Sequence, residues 1–562
     1  MTNTASTLPP ARTLVPRPAA TIILARDAAR GVEILMQRRS SELAFAAGAY
    51  VFPGGSVDAA DGSPTLLARC AGLDETAAKR RLATTEHALP FYVAAVRECF
   101  EESGVLLASH ANGATLDGPI VARLAAELRP RLLSGALGFE QLIIEHDLML
   151  ALDRFEYFAH WTTQAGRPRR FTTRFFVAAV PPDQHAIHDD GELVDTLWVR
   201  PADALAAYER GEMELLFPTY KTLRELEGVA SATHLVERAR ARVPELVGPP
   251  RVAQTRDGAC TVFPGDFAYA EIAKLDPQGA GDAACEISPG VPVSIGPGVR
   301  RLTAPNPGMM TGPGTNTYLL TTRNGAIVVI DPGPALDAHI ARIVEVAGGP
   351  VHWILCTHTH MDHSPGAAPL AARTGAAIYG RPAPEHGSQD REFAPTHIVQ
   401  DMESLDLDGT QIRVLHTPGH ASNQVCFLLQ AEKMLFTGDH LMQGSTVVIN
   451  PPDGDMCTYI AQLERLFDED LHYVAPGHGF LIGAPHEAVE RVILHRMLRE
   501  KKVVAALNKL GPARELTLVP VVYNDTPEKL HAMAARSLLA HLQKLVRDGR
   551  ATEREGYWAL LN

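Results

Sequence analysis

Two sets of residues in this chain have the types and spacing of metal chemistry. The first is Arg97-Glu98-Cys99-Phe100-Glu101-Glu102-Ser103-Gly104-Val105, where Glu98, Glu101 and Glu102 stand at i, i+3 and i+4. On a helix these carboxylates leave one face of a single turn, and their repulsion costs stability unless a cation sits among them. Oxygen-only ligands suit Mg²⁺ or Mn²⁺, and Arg97, four residues before Glu101, can orient it. A solvated acidic helix face has the same composition, so the run alone leaves both readings open. The second set is split over four places: Thr357-His358-Thr359-His360-Met361-Asp362-His363, Leu415-His416-Thr417-Pro418-Gly419-His420, Thr437-Gly438-Asp439-His440 and Ala475-Pro476-Gly477-His478-Gly479. Imidazoles with carboxylates and no thiolate fit Zn²⁺ and also allow Mn²⁺ or Fe.

Elements must bring these groups together. Each of the four histidine-bearing segments follows a short apolar run, at 351–356, 412–415, 433–437 and 472–475. That places them in loops just beyond strand ends, where they can converge on one edge of a layered sheet. Further runs at 326–330 and 425–429 extend the same α/β pattern. For the carboxylates, Val93, Val96 and Phe100 recur at helical spacing over Phe91 to Ser103, and Gly104 supplies the stop. A Gly/Pro corner, Phe52-Pro53-Gly54-Gly55, comes before, and Thr21–Leu24 with Val32–Met36 reads as a hairpin around 27–31. Residues 62–90 read as an insertion, 171–180 and 194–199 as strands, and a helical stretch ends near 243.

The carboxylate helix and its Gly-Gly loop resemble the Nudix hydrolase signature, G-x5-E-x7-R-E-U-x-E-E-x-G-U. The second half matches at every fixed position, with Val105 last and Cys99 as the earlier apolar residue. In the first half, five residues after Gly55 lead to Asp61 where the family has Glu, and 35 residues instead of seven then separate Asp61 from Arg97. Leu35-Met36-Gln37-Arg38-Arg39-Ser40 with Gly48-Ala49-Tyr50-Val51-Phe52-Pro53-Gly54-Gly55 resembles part of the coenzyme A motif of the related diphosphatases, with Ala44 in place of its internal arginine. The resemblance implies attack of water on a diphosphate linkage, with Mg²⁺ or Mn²⁺ held by Glu98, Glu101 and Glu102.

The ordered set H-x-H-x-D-H, P-G-H, G-D, P-G-H resembles the metallo-β-lactamase superfamily. Carried over by position, His358, His360 and His420 hold one metal, Asp362, His363 and His478 the second, and Asp439 bridges them. His416, His440, His386 and His397 match no ligand position and read as structural. Two Zn²⁺, or Mn²⁺ or Fe, would lower the pKa of bound water toward about 7 and polarise a scissile carbonyl or phosphoryl group. Asn306-Pro307-Gly308, Gly314-Thr315-Asn316-Thr317-Tyr318-Leu319-Leu320, Asp331-Pro332-Gly333 and the tail segments Asn524-Asp525-Thr526-Pro527 and Leu538–Leu545 resemble the β-lactamase-like protein 2 branch. Some members of that branch are endoribonucleases for single-stranded RNA, and their tail is a winged-helix-like module.

Composition sets the outer limits. With 562 residues, 46% apolar and 21% charged, the chain should hold several globular domains. A net charge of −13 argues against a protein coating duplex nucleic acid, yet from Arg496 onward there are 12 Lys/Arg against 7 Asp/Glu. Such a tail suits a phosphate backbone, a dimer contact or plain packing. No apolar run approaches the roughly 18 residues of a membrane-spanning helix. Seven scattered cysteines without a C-x-x-C pair read as a reduced, cytoplasmic chain. Between 248 and 299 there are 8 Gly and 7 Pro, which marks a boundary of mostly irregular backbone. The expected organisation is a disordered tail (1–17), a Nudix α/β/α sandwich (18–245), a Gly/Pro-rich linker (246–290), a metallo-β-lactamase αββα sandwich (291–490) and a winged-helix-like module (491–562). The expected function is a bifunctional metallohydrolase: Glu98, Glu101, Glu102 and Asp362 are its catalytic residues, and nucleoside-diphosphate-linked substrates, possibly CoA-like, together with thioesters, esters or single-stranded RNA its substrates. A homodimer is compatible. The alternative is an endoribonuclease whose Nudix domain only binds nucleotide or RNA.

Overall fold

The strand Arg17–Ala28 is apolar on both faces: Ala20, Ile22 and Leu24 enter one core while Ile23 and Ala25 enter another. A period of two with both sets apolar is what a sheet covered on both sides requires. The computed structural model describes residues 15–40, 48–163, 169–181, 183–184, 186, 193–242, 248–444 and 446–561, so residues 1–14 of the expected tail and Ala44 lie outside the described residues. Arg17, placed in that tail by sequence, already pairs with Phe171. The chain divides into two compact units at Pro250/Arg251.

In the first unit the sheet runs Leu193–Val199, Gly31–Arg39, Arg17–Ala28, Phe171–Ala179, Phe155–Thr162. Arg17–Ala28 is antiparallel to its hairpin partner Gly31–Arg39 and parallel to Phe171–Ala179, and the long crossover between the parallel strands contains the helix Leu89–Ser103. Tyr92, Val96 and Phe100 of that helix fill one face of the sheet. Leu205, Leu223 and Leu235, from three later helices, fill the other. The expected insertion is folded. Ser63 and Asp74 cap the short helices Pro64–Leu67 and Glu75–Leu82, and Cys70–Ala71 joins Leu148–Ala151 in a small sheet. Glu75 accepts hydrogen bonds from the Ala88 and Leu89 amides, so a residue of the insertion satisfies the open N-terminus of the carboxylate helix.

The second unit stacks a seven-stranded sheet, Pro292–Gly296 through His397–Ile398, on a six-stranded one, Ser404–Leu407 through Ile482–Gly483, each in sequence order. Tyr318, Val328 and Leu355 of the first meet Val414, Phe427 and Phe436 of the second in the central core. Helices Asp337–Ala347 and Ala367–Thr374 cover the outer face of the first sheet, Met456–Arg465 and Pro485–Leu510 that of the second, giving an αββα sandwich.

One expected boundary is corrected, and the stretch expected as a linker carries folded pieces. Within the Gly/Pro-rich stretch Arg251–Thr255 and Gly258–Val262 form a hairpin, Tyr269–Leu275 a helix, and Ala253, Val262 and Ile272 a small core. Buried Glu271 anchors it by accepting from Arg301 Nη1 (2.6 Å) and the Leu481 amide (2.9 Å). The break expected at 490/491 falls inside the helix Pro485–Leu510. Its Ala488 and Val489 belong to the sandwich core and its Val503, Ala506 and Leu507 to the core of the tail, so no turn residue could mark the join. The tail adds helices Glu515–Val522 and His531–Arg547 and the hairpin Ala551–Arg554/Tyr557–Leu560. No helix among the described residues is long and apolar enough to cross a membrane.

Candidate metal centre

Strand ends from both sheets deliver the histidine and aspartate side chains. Val351–Leu355 of the first sheet leads into His358–His363, while Thr410–His416, Met434–Gly438 and Tyr473–Pro476 of the second lead to His420, Asp439 and His478. Two ligand groups result, His358/His360/His420/Asp439 and Asp362/His363/His478, and within each the donor atoms lie within 4.8 Å of one another. Asp439 faces both: its Oδ2 is 3.6 Å from His420 Nε2, and its Oδ1 is 3.3 Å from His478 Nε2 and 3.5 Å from His363 Nε2. Asp362 Oδ2 lies 3.4 Å from both His363 Nε2 and His478 Nε2. Backbone contact is close here, since a Cβ on Gly477 would stand 2.7 Å from Asp439 Oδ1 and from His363 Cε1.

A second layer of groups aims the rings. His420 Nδ1 donates to the Val448 carbonyl (2.9 Å) and His478 Nδ1 to the Gly314 carbonyl (3.2 Å). A carbonyl only accepts, so a neutral ring there carries its proton on Nδ1 and turns a lone pair inward at Nε2. His363 Nδ1 donates to Asp331 Oδ2 (2.9 Å), and Asp331 also accepts from the Thr357 amide and hydroxyl, both at 2.7 Å. Thr315 donates to Asp362 Oδ2 (3.0 Å). Asp331 is buried and sits at φ 48°, a strained conformation for a non-glycine residue.

The electrostatics fit a cation. Burial, reinforced by neighbouring histidines, holds His358 well below the usual imidazole range and His360 down to about 3; burial also lowers His420. At His363 and His478 burial opposes protonation, but the Asp362 and Asp439 carboxylates prevail and raise both, His478 to about 9. Histidines hold Asp362 and Asp439 below the usual carboxylate range against the effect of burial. His363 Nε2 and Asp439 Oδ1 are buried without a hydrogen-bond partner, and the Nε2 atoms of His358 and His420 crowd His360 Nδ1 at 2.9 and 3.0 Å. Converging lone pairs and carboxylates of this kind are stabilised by divalent metal, and the donor set suits it. Of the other histidines, His416 bonds the Ser422 carbonyl, His397 bonds Glu403, and His440 is buried beside Tyr459; His386 joins neither ligand group.

The N-terminal carboxylates are arranged differently. Arg97 donates bidentately to Asp61 (2.8 and 3.0 Å), and its Nη1 reaches Glu98 (2.9 Å) and Glu101 (3.0 Å). Asp61 is buried, so the residue separated from the helix by the insertion is folded back onto it. Glu102 Oε2 accepts from the Gly54 amide (2.8 Å), and a Cβ on Gly55 would stand 2.3 Å from Glu98 Oε1. Burial pushes Glu98 up to about 7 and raises Glu101. Among the described residues, only the two groups of the second unit bring three or more donors within 4.8 Å. Sequence reasoning missed Asp331, visible only as the D-P-G after a strand, and gave Thr315 no role. It also missed the Val448 carbonyl, which no residue type could have signalled.

Three family models match the chain: the metallo-beta-lactamase superfamily over residues 310–478, the NUDT19 Nudix domain over 16–226 and the beta-lactamase associated winged helix domain over 516–558. The beta-lactamase-like protein 2 homolog of Drosophila melanogaster is 31% identical over 274 residues, 45% of this chain and 92% of the relative. The atrochrysone carboxyl ACP thioesterase of Aspergillus chevalieri is 32% identical over 269 residues, 45% of this chain and 82% of the relative. A solved Nudix hydrolase from Alicyclobacillus acidocaldarius is 26% identical, covering 40% of this chain and 97% of its own, with a TM-score of 0.33. Superfamily and His/Asp cluster together imply a divalent metal. The chain is a hydrolase that belongs to the metallo-β-lactamase superfamily, with a NUDT19-type Nudix domain before that domain and an associated winged helix domain after it.

Proposed function

We propose that the chain is bifunctional: the C-terminal site cleaves thioesters, and the N-terminal site cleaves the diphosphate linkage of a CoA-like nucleotide. The observation that carries the first half is Asp439, whose two oxygens face two separate groups of imidazoles. In this reading His358, His360 and His420 hold one ion, Asp362, His363 and His478 the other, Zn²⁺ or else Mn²⁺ or Fe, with Asp439 between them. Bound there, the ions would polarise a scissile carbonyl and acidify water. Asp362 has the most open carboxylate of the set, 28% exposed. Its Oδ2 is turned to Thr315, His363 and His478, which leaves Oδ1 to orient the water and take its proton. At the N-terminal site Glu98, Glu101 and Glu102 would hold Mg²⁺ or Mn²⁺ against a substrate diphosphate, and Arg97 fixes the first two.

A fungal relative is named as a thioesterase, which supports the thioester over the other bonds this site could cleave. The scattered cysteines without a C-x-x-C pair support a reducing, cytoplasmic setting.

The test is metal analysis with a substrate panel of acyl-thioesters, CoA, ADP-ribose and single-stranded RNA on wild type, Asp362→Ala and Glu101→Gln. Thioester hydrolysis should vanish in Asp362→Ala alone and Mg²⁺-dependent diphosphate hydrolysis in Glu101→Gln alone. RNA cleavage abolished by Asp362→Ala, without thioester turnover in the wild type, would overturn the first assignment. Tight nucleotide binding without turnover would make the Nudix domain a binding module.

A further inference from the structure

One wall of a cavity of about 230 Å³ is formed by the helix Pro485–Leu510, and Val448, His495, Arg496, Arg499, Tyr523 and Ser537 face into it. A single pass of chain separates this cavity from the metal ligands. On that pass the Val448 carbonyl accepts from His420 Nδ1 at 2.9 Å, and the neighbouring Val447 carbonyl accepts from Arg496 Nη2. The Arg496 guanidinium also lies 5.5 Å from the ring centre of Tyr459, whose backbone packs against Gly419, the residue before His420.

The lining is cationic beyond what the fold neutralises. Arg496 is 3% exposed, its Nε has no hydrogen-bond partner, and none of the ion pairs among the described residues includes it. Two carboxylates of the same region already carry two cations each: Glu500, one turn along the helix, pairs with Lys544 (3.0 Å) and Arg550 (2.5 Å), and Asp525 with Arg499 and Lys502 (both 2.8 Å). A buried guanidinium without an opposing charge is costly, and a planar fork of donors matches the oxygens of a phosphate. His541 senses the same field: it is buried with both ring nitrogens unpartnered, and burial together with Arg496, Lys544 and Arg499 holds it down to about 3.

We propose that this cavity is an anion pocket that receives a phosphate carried on the thiol part of the thioester substrate, with Arg496 and Arg499 as its binding residues. The proposal rests on the thioester reading of the neighbouring site and names its substrate class, a phosphorylated thiol carrier. Coenzyme A and protein-bound 4′-phosphopantetheine share that chemistry.

The experiment uses the full metal-loaded chain carrying Glu101→Gln, so that CoA is not consumed at the N-terminal site. Titration calorimetry compares 4′-phosphopantetheine with pantetheine. Hydrolysis compares three thioesters of one acyl group, on CoA, on a phosphopantetheinylated carrier protein and on N-acetylcysteamine. The phosphorylated ligand should bind about tenfold tighter or more, and KM should be lower by a similar factor for one or both phosphorylated thioesters; whichever it is identifies the carrier. Arg499→Gln should erase both preferences, and so should Arg496→Met where it folds; the comparison in the parent chain does not depend on either variant. Equal binding and equal KM overturn the pocket while leaving the thioester reading intact. A binding preference without hydrolysis of any thioester overturns the thioester reading instead. Displacement of 4′-phosphopantetheine by single-stranded RNA at lower concentration than by CoA overturns the substrate class.

Discussion

In the first unit Arg97 stands among Asp61, Glu98 and Glu101 as a resident cation, whereas in the second unit the seven ligand groups that face one another are imidazoles and carboxylates alone. The difference lies in what each site needs in order to fold. An arginine paired with four carboxylate oxygens lets the N-terminal helix form without a metal and presents its acidic edge ready-made. The C-terminal set leaves buried polar atoms open, so much of its binding energy for metal is also folding energy for the loops that carry it.

The sharpest way to break the comparison is at Asp439. Asp439→Ala should lower thioester hydrolysis by about 10³-fold, since losing several kcal/mol of charge stabilisation costs tenfold per 1.4 kcal/mol, and bound metal should fall with it on elemental analysis. At the other site the resident cation is the weak point. Arg97→Met strands buried Asp61 and should lower the unfolding free energy of the first unit by about 3–5 kcal/mol in urea, while Glu101→Gln, at a more open position, should cost clearly less. Gly55→Ala pushes a methyl group onto Glu98 and should slow diphosphate hydrolysis by about 10²-fold with thioester hydrolysis unchanged; an unchanged diphosphate rate would separate Glu98 from the chemistry. Asp331→Asn removes the charge behind His363 and should weaken metal affinity by about 10–100-fold in a chelator competition. The smallest effect is expected on the surface. Lys502→Ala should change stability by less than about 1 kcal/mol, because its pair with Asp525 is partly solvated.

Much of both sites could be read from the chain because their residues cluster locally. Glu98, Glu101 and Glu102 occupy one helical turn, and the four histidine segments each follow their own strand end, three of them with a glycine. What escaped depends on contacts between distant positions. The pair Asp61–Arg97 is restored across a folded insertion whose Glu75 also starts the helix, and spacing alone could not show that the loop returns. Asp331 sits in a strained backbone state at the end of Ile327–Ile330, where its partners Thr357 and His363 belong to another strand's loop. The hairpin at Arg251–Val262 was obscured because glycines and prolines are dense in the chain around it, and composition does not distinguish a small folded piece from a linker.

The helix Pro485–Leu510 has 26 residues and is therefore about 39 Å long. Because its first turns are fastened into the sandwich and its last into the tail, it works as a beam common to both. A chain ended at 490 would leave the sandwich without part of its cover and would strip Arg496 from the Val447 carbonyl beside the metal loop. As a part for engineering or for recombination, body and tail form a single cassette that can be moved, lost or replaced only as one.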